Sequence, residues 1–319
     1  MSITFAKPVT ASLSDYISIA RPDHWFKNIF MLPGMLVAYM YYRVDIDFKL
    51  MISLLAAVAS TCCIASANYV INEWLDAEFD KYHPLKKNRP SVVRNLNSKF
   101  VYLEYALFAA VGLIIAGFLS SSFFLISLLL LLMGFFYNVR PFRTKERAYL
   151  DVLSESVNNP IRFALGWLVI APFIFPPSSI LVAYWMGGAF LMACKRFAEY
   201  RFINNKELAG LYRKSFEYYS ETSLLVSIFF YSLTSTFFLG IFLIKHRIEL
   251  LLTFPFFALL FSWYLRISFR HDSAAQRPEK LYRNWKFMIF IGMFFLFFMS
   301  LLFIDIPILH YFLQNYFGK

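Results

Sequence analysis

Long apolar stretches alternate with short polar segments along the whole chain. Nine of them approach the roughly 20 apolar residues that a membrane-crossing helix needs: 26–42, 50–72, 101–119, 122–139, 157–175, 180–198, 222–244, 251–267 and 287–306. The pattern predicts an all-α membrane protein of nine transmembrane helices. Polar segments between them are too short for a soluble domain. The chain therefore reads as a single polytopic membrane domain over 1–319, with a polar arm at 1–24 and capping loops at 80–99 and 199–221. The sixth stretch contains Gly187-Gly188, which lets a neighbouring helix approach closely.

Composition agrees. Of 319 residues, 59% are hydrophobic and only 16% charged, against about a quarter charged in soluble domains. This excludes a soluble enzyme and a disordered chain. Three cysteines exclude a disulfide framework; Cys62, Cys63 and Cys194 read as small core residues. His24, His83, His246, His271 and His310 are scattered without metal-ligand spacing. Residues 1–20 lack the apolar core of a signal peptide.

The net charge of +11 changes the picture further. Most bases fall in alternate loops: Lys7, Arg21 and Lys27 in the arm, then the segments 81–99, 140–147, 195–214 and 266–286. The opposite side holds Arg43, Lys49, Lys245, Arg247 and Lys319. Basic loops stay inside. The expectation is an integral protein of the inner (plasma) membrane, with N-terminus and polar pocket cytosolic and C-terminus outside. Nucleic acid is no partner, because no soluble basic module exists.

Three groups of polar residues interrupt this basic face. Asn72, Asp76 and Asp80 are spaced four apart and share a helix face, with Glu73 beside them. Acids at a helix C-terminus oppose the backbone dipole and repel one another, so a cation should compensate. Mg²⁺ suits the task, since it bridges one or two carboxylates to substrate phosphates; neutralisation by Lys81, Lys86, Lys87 and Arg89 is the plain alternative. Lys195, Arg196 and Glu199 end the sixth stretch as a phosphate clamp or a simple topology signal, with Lys195 and Glu199 on one face. The third group is Arg143, Lys145, Asp151, Glu155, Asn158 and Arg162. Arg162 lies inside a span, where a base must be paired or face water; Glu155 or Asn158 is the expected partner.

Together these residues resemble the UbiA superfamily of intramembrane prenyltransferases. Asn72-Glu73-x-x-Asp76-x-x-x-Asp80 is similar to its first Asp-rich motif, with Glu73 where Asp is usual, and Tyr137…Arg143-x-Lys145…Asp151 resembles its second stretch. A second acidic motif, usual on helix 6, is replaced here by Lys195-Arg196-x-x-Glu199. With Arg21-Pro-x-x-Trp25-x-Lys27-Asn28 and Asp80-x-x-His83-Pro84-x-Lys86-x-x-Arg89-Pro90, this looks like the decaprenyl-phosphate phosphoribosyltransferase branch of cell-wall biosynthesis.

That resemblance implies Mg²⁺-dependent transfer of a 5-phosphoribosyl group from phosphoribosyl diphosphate to a polyprenyl phosphate, releasing diphosphate. It implies metal ligation by Glu73, Asp76 and Asp80, and catalytic parts for Asp76, Asp80, Glu199 and Asp151. Substrate would be held by Lys27, Asn28, Asn72, Lys86, Arg89, Arg143, Lys145, Arg162, Lys195 and Arg196. The partners implied are the polyprenyl lipid and a phosphorylated sugar. Arg140-Pro-x-Arg143 is similar to members that use prenyl diphosphates, so prenyl transfer to an aromatic or isoprenoid acceptor stays open. A transporter is a lesser alternative, disfavoured because the charges gather at one end of the helices and no paired broken segments are found.

Overall fold

A computed structural model describes residues 9–82, 86–270, 273–276 and 278–314. Lys7, His83, Pro84, His271, Arg277 and Lys319 lie outside them. The described residues group into two compact units. One runs to residue 176 and adds 203–219; the other takes 177–202 and 220 onward.

The first unit carries α1 (Leu13–Ile19), α2 (Leu32–Tyr42), α3 (Phe48–Asp80), α4 (Pro90–Val93), α5 (Ser98–Leu119), α6 (Ser121–Asn138), α7 (Leu150–Ser156), α8 (Asn158–Ile170) and α10 (Lys206–Tyr212). The second carries α9 (Ser178–Ile203) apart from its last residue, then α11 (Glu221–His246), α12 (Phe254–Ser268), α13 (Trp285–Leu301) and α14 (Pro307–Gln314). The only sheet among the described residues is a two-residue parallel pairing of Val9 with Arg94 and Thr10 with Asn95.

All nine predicted stretches are helical over most of their length, but they differ in span. Among the described residues six helices are long and apolar enough to cross a membrane, and Trp285–Leu301 is a shorter apolar helix of 17 residues. The first and fifth stretches fall shorter, for identifiable reasons. The first starts as a 3₁₀ helix over Pro22–Met31, and α2 adds 11 residues; Pro33 cannot donate the bond that would merge them. The fifth breaks at Val157, where Pro160 removes another donor, and α8 stops after 13 residues, just before Pro172.

The 33 residues of α3 make it the axis of the first unit. At 1.5 Å per residue it is about 50 Å long, against about 30 Å of hydrocarbon. Its acidic last turns therefore run past the apolar layer. Asp47 caps its start by accepting from Leu50 N at 2.7 Å. It packs along α5, α6 and α8 through small residues and buried polar side chains. Ser60 Oγ donates to Gly112 O at 2.7 Å, and Asn68 Nδ2 donates to Leu130 O at 2.9 Å beside Gly134. Such contacts take over where lipid supplies no hydrophobic drive between helices.

In the second unit, Ser235 Oγ donates to Ala183 O at 2.8 Å and lies against Gly187, so this glycine makes the expected close approach. Phe190 packs on Phe261 with centroids 4.6 Å apart. At the other end of α11, Arg247 donates to Leu301 O and Ile304 O and pairs with Asp305 at 2.9 Å.

Candidate active site

The last two turns of α3 carry two linked charge clusters in the first unit. The first centres on Asp76. Arg143 pairs with it at 3.0 Å and Lys145 also binds it directly. Lys145 further donates to Asn138 Oδ1 at 2.7 Å, and Asn72 Nδ2 donates to that oxygen at 2.5 Å. Arg143 is buried, stacks over Phe79 at 4.8 Å and pairs with Glu146 at 2.6 Å. It reaches inward because its own backbone is left-handed, with φ 27°. Burial lowers the Lys145 ammonium to about 8, with Asp76 opposing that shift and Arg143 adding to it.

The second cluster centres on Asp80, seven residues after Glu73 and so two turns along the same face. Asp80 is buried and pairs with Arg89 at 2.5 Å. Burial disfavours the Arg89 cation, but Asp80 and Glu73 more than compensate, so its pKa stands above the ordinary value. Arg21 also faces Glu73; burial and the nearby Arg89 hold it below the ordinary value. Lys86 donates to Tyr212 Oη and lies 4.7 Å from that ring's centroid. Asp76 is thus neutralised from the loop after α6, whereas Asp80 is neutralised by a base expected from sequence.

The acids do not gather as one protein-only cage. Among the described residues no three His, Cys, Asp or Glu converge to hold an ion. This corrects the expectation that Glu73, Asp76 and Asp80 ligate together. The donors still fit Mg²⁺ in its more usual setting, with one or two carboxylates and the shell completed by water and substrate phosphate. Glu73 is buried, and its Oε1 has no hydrogen-bond partner. Such an orphaned acceptor suits a cation.

Other expected residues take positioning parts. Arg162 is buried and meets Asn158, an expected partner, together with Asn28, which was not expected. Its Nε donates to Asn28 Oδ1 at 2.9 Å, and it reaches the Asn158 carbonyl at 3.3 Å. Asn28 in turn donates to Cys62 Sγ at 3.1 Å, tying three segments together. Lys27 lies over the Tyr69 ring at 5.6 Å. Glu155 accepts from Tyr137 Oη at 2.8 Å.

Asp151, expected among catalytic acids, is fully buried as an anchor. It accepts from Tyr219 Oη at 2.7 Å and Ser215 Oγ at 3.1 Å, and lies 3.9 Å from Arg213. Tyr219 Oη also accepts from Tyr149 N at 2.6 Å. These bonds tether the segment after α10, the later part of the expected cap. Tyr219→Phe removes both, and should cost about 1–3 kcal/mol. Faster amide exchange over 213–219 is the expected readout; unchanged exchange there would remove the anchoring role.

In the second unit, Arg196 and Glu199 are buried in α9 and paired at 3.2 Å. Glu199 therefore orients a base, and Arg196, at spacing three, is one that it holds. Lys195 is half-buried.

Sequence reasoning passed over Asn138, Glu146, Tyr212 and Arg213. Asn138 ends an apolar run as Asn72 does, and that likeness was the available signal. The others had been counted only as loop charge or as an aromatic face.

Residues 30–298 match the UbiA prenyltransferase family. The chain is 28% identical over 223 residues to a decaprenyl-phosphate phosphoribosyltransferase of Mycolicibacterium smegmatis, covering 69% of this chain and 67% of the relative. It is 27% identical over 222 residues to one of Mycobacterium tuberculosis, covering 68% and 70%. A UbiA homolog from Archaeoglobus fulgidus, solved with DMAPP and Mg²⁺, superposes with TM-score 0.67 at 20% identity, covering 91% of this chain and 100% of that one.

Proposed function

The chain belongs to the UbiA prenyltransferase family and is a membrane-embedded transferase, and from that premise we propose that it moves a 5-phosphoribosyl group from phosphoribosyl diphosphate to a polyprenyl phosphate. The observation that carries this reading is the gathering of bases on the carboxylates at the end of α3. Arg89, Arg143 and Lys145 surround Asp76 and Asp80, which is chemistry for a ligand bearing several phosphates. The basic Lys195-Arg196-x-x-Glu199 run favours phosphate recognition over a second metal-binding acidic pair. The mycobacterial relatives bear names consistent with it.

In this reading the acceptor phosphate oxygen forms a bond to ribose C1 while the C1–O bond to diphosphate breaks. Diphosphate leaves with the electron pair. The acceptor is already anionic, so no base must deprotonate it. Arg143 and Lys145, with Lys86 and Arg89, hold phosphate oxygens; guanidinium can grip two at once, whereas ammonium acts as a point charge. Asp76 keeps Arg143 and Lys145 aimed, and Asp80 does the same for Arg89. Glu73 with Asp76 or Asp80 would hold Mg²⁺, which would neutralise charge on the diphosphate. In the second unit, Lys195 and Arg196 are bases suited to phosphate, with Glu199 orienting Arg196. Lys27, Asn28, Asn72 and Arg162 shape the neighbouring polar wall. In this reading the protein sits in the inner (plasma) membrane with the site and N-terminus on the cytosolic side, which the basic loops favour.

A second reading is prenyl transfer from a prenyl diphosphate to an aromatic or isoprenoid acceptor. Glu155, already hydrogen-bonded by Tyr137, is then the carboxylate placed to help remove an acceptor proton.

Purified protein incubated with radiolabelled phosphoribosyl diphosphate, polyprenyl phosphate and Mg²⁺ should yield label in the lipid extract, and a chelator should abolish it. Absence of lipid label, together with product from a prenyl diphosphate and a small acceptor, would replace the first reading by the second.

A further inference from the structure

The loop between α6 and α7 borders an open cavity of about 1030 Å³, of whose lining the proposed chemistry uses Arg143 alone. Four bases line it, Arg140, Arg143, Arg147 and Lys214, against one acid, Glu146. Glu146 spends its charge on Arg143 at 2.6 Å and Arg140 at 3.8 Å. Arg143 is also the base that pairs with Asp76. Neither Arg147 nor Lys214 has an acidic partner among the described residues. Like charges around a concavity repel one another, and a cleft lined by one sign concentrates the field on its opposite. The volume is at the upper end for small-molecule sites, far beyond a lone monatomic ion. Phe142 and Tyr218 stand exposed on its rim.

We propose that this cavity is a docking site for a phosphate-bearing anion, distinct from the Asp76 cluster but sharing the Arg143 wall with it. The site is open to water, and its aromatic rim is the kind found at a membrane surface. A soluble phosphorylated donor and an anionic lipid headgroup offer the same chemistry. The inference borrows its purpose from the transferase reading: an anion captured here waits beside the reacting cluster. Binding itself is read without turnover, so failure of the transfer assay leaves the binding result intact.

The test uses the full chain with Tyr218→Cys carrying an environment-sensitive dye, in nanodiscs of zwitterionic lipid, titrated with inorganic pyrophosphate. The unlabelled-site parent chain corrects for dye on Cys62, Cys63 and Cys194. A saturable response is expected. Substituting Arg140, Arg147 and Lys214 together by Gln should weaken it about tenfold or more, as loss of charged hydrogen bonds predicts, with thermal unfolding unchanged. Nanodiscs of anionic lipid form the second arm. A response already saturated there without pyrophosphate supports the site and assigns it to a headgroup; a pyrophosphate response persisting in both lipids supports it and assigns it to a soluble donor. A folded protein that responds in neither arm, or equally with and without the three bases, overturns the proposal.

Discussion

Asp76→Asn should reduce transfer roughly a hundred- to a thousandfold, the usual loss when one preorganised electrostatic group is removed from a reacting site. The geometry gives two reasons. Asp76 holds Arg143 at 3.0 Å and also binds Lys145, so both bases lose their aim. Its removal also leaves two buried cations beside each other with less to separate them, and breaking a buried ion pair costs about 3–5 kcal/mol. Activity and stability would then fall together, and the first could be mistaken for the second. Asp76→Asn with Lys145→Met separates them. Deleting one cation with the anion relieves the repulsion, so the double variant should unfold at a higher temperature than Asp76→Asn alone while staying inactive. Full activity in Asp76→Asn removes the role given to this carboxylate; recovered activity in the double variant reduces it to structural support.

The acids of this site were legible because they lie on one helix. Spacing of four on a 33-residue helix puts Asn72, Asp76 and Asp80 on one face whatever the rest of the fold does. Arg89, the partner of Asp80, was legible close by in sequence, whereas the partners of Asp76 were not, because they arrive from another segment. Arg143 reaches Asp76 from 67 residues away, and Arg162 meets Asn28 across 134. Local periodicity carries no information at such separations. Sequence therefore offered Arg162 its helix neighbours, Glu155 and Asn158, and the Asn158 carbonyl is met, but it did not offer Asn28. The bonds of Asp151 were hidden for a related reason, because Tyr219 and Ser215 reach it from a distant segment. The span count shows the opposite limit. Hydropathy located nine stretches that are largely helical, of which six among the described residues are long and apolar enough to cross a membrane; it does not register a proline that withholds one donor, so α2 and α8 fall short of a full crossing.

Gly166→Ala should destabilise the protein far more than its single methyl suggests, with Gly34→Ala acting alike. The two glycines sit where the segment leading into α2 crosses α8. A Cβ on Gly34 would strike the carbonyl oxygen of Phe163, and one on Gly166 would strike the carbonyl oxygen of Met31. Both obstacles are backbone, which cannot swing aside as a side chain can. Overpacking commonly costs about 1–3 kcal/mol when neighbours can adjust, and here the helices themselves must part. That separation would stretch the bond from Arg162 Nε to Asn28 Oδ1, now 2.9 Å, and strand a buried base. Gly292→Ala is the control, because nothing lies within 4 Å of its new methyl. Thermal unfolding in detergent should show a large drop for Gly166→Ala and almost none for Gly292→Ala. Transfer activity measured below the unfolding range should fall only in the first, since the Asn28–Arg162 link sets the wall beside Lys27. Equal stability of the two variants would mean that the α2–α8 crossing is looser than these carbonyl contacts require.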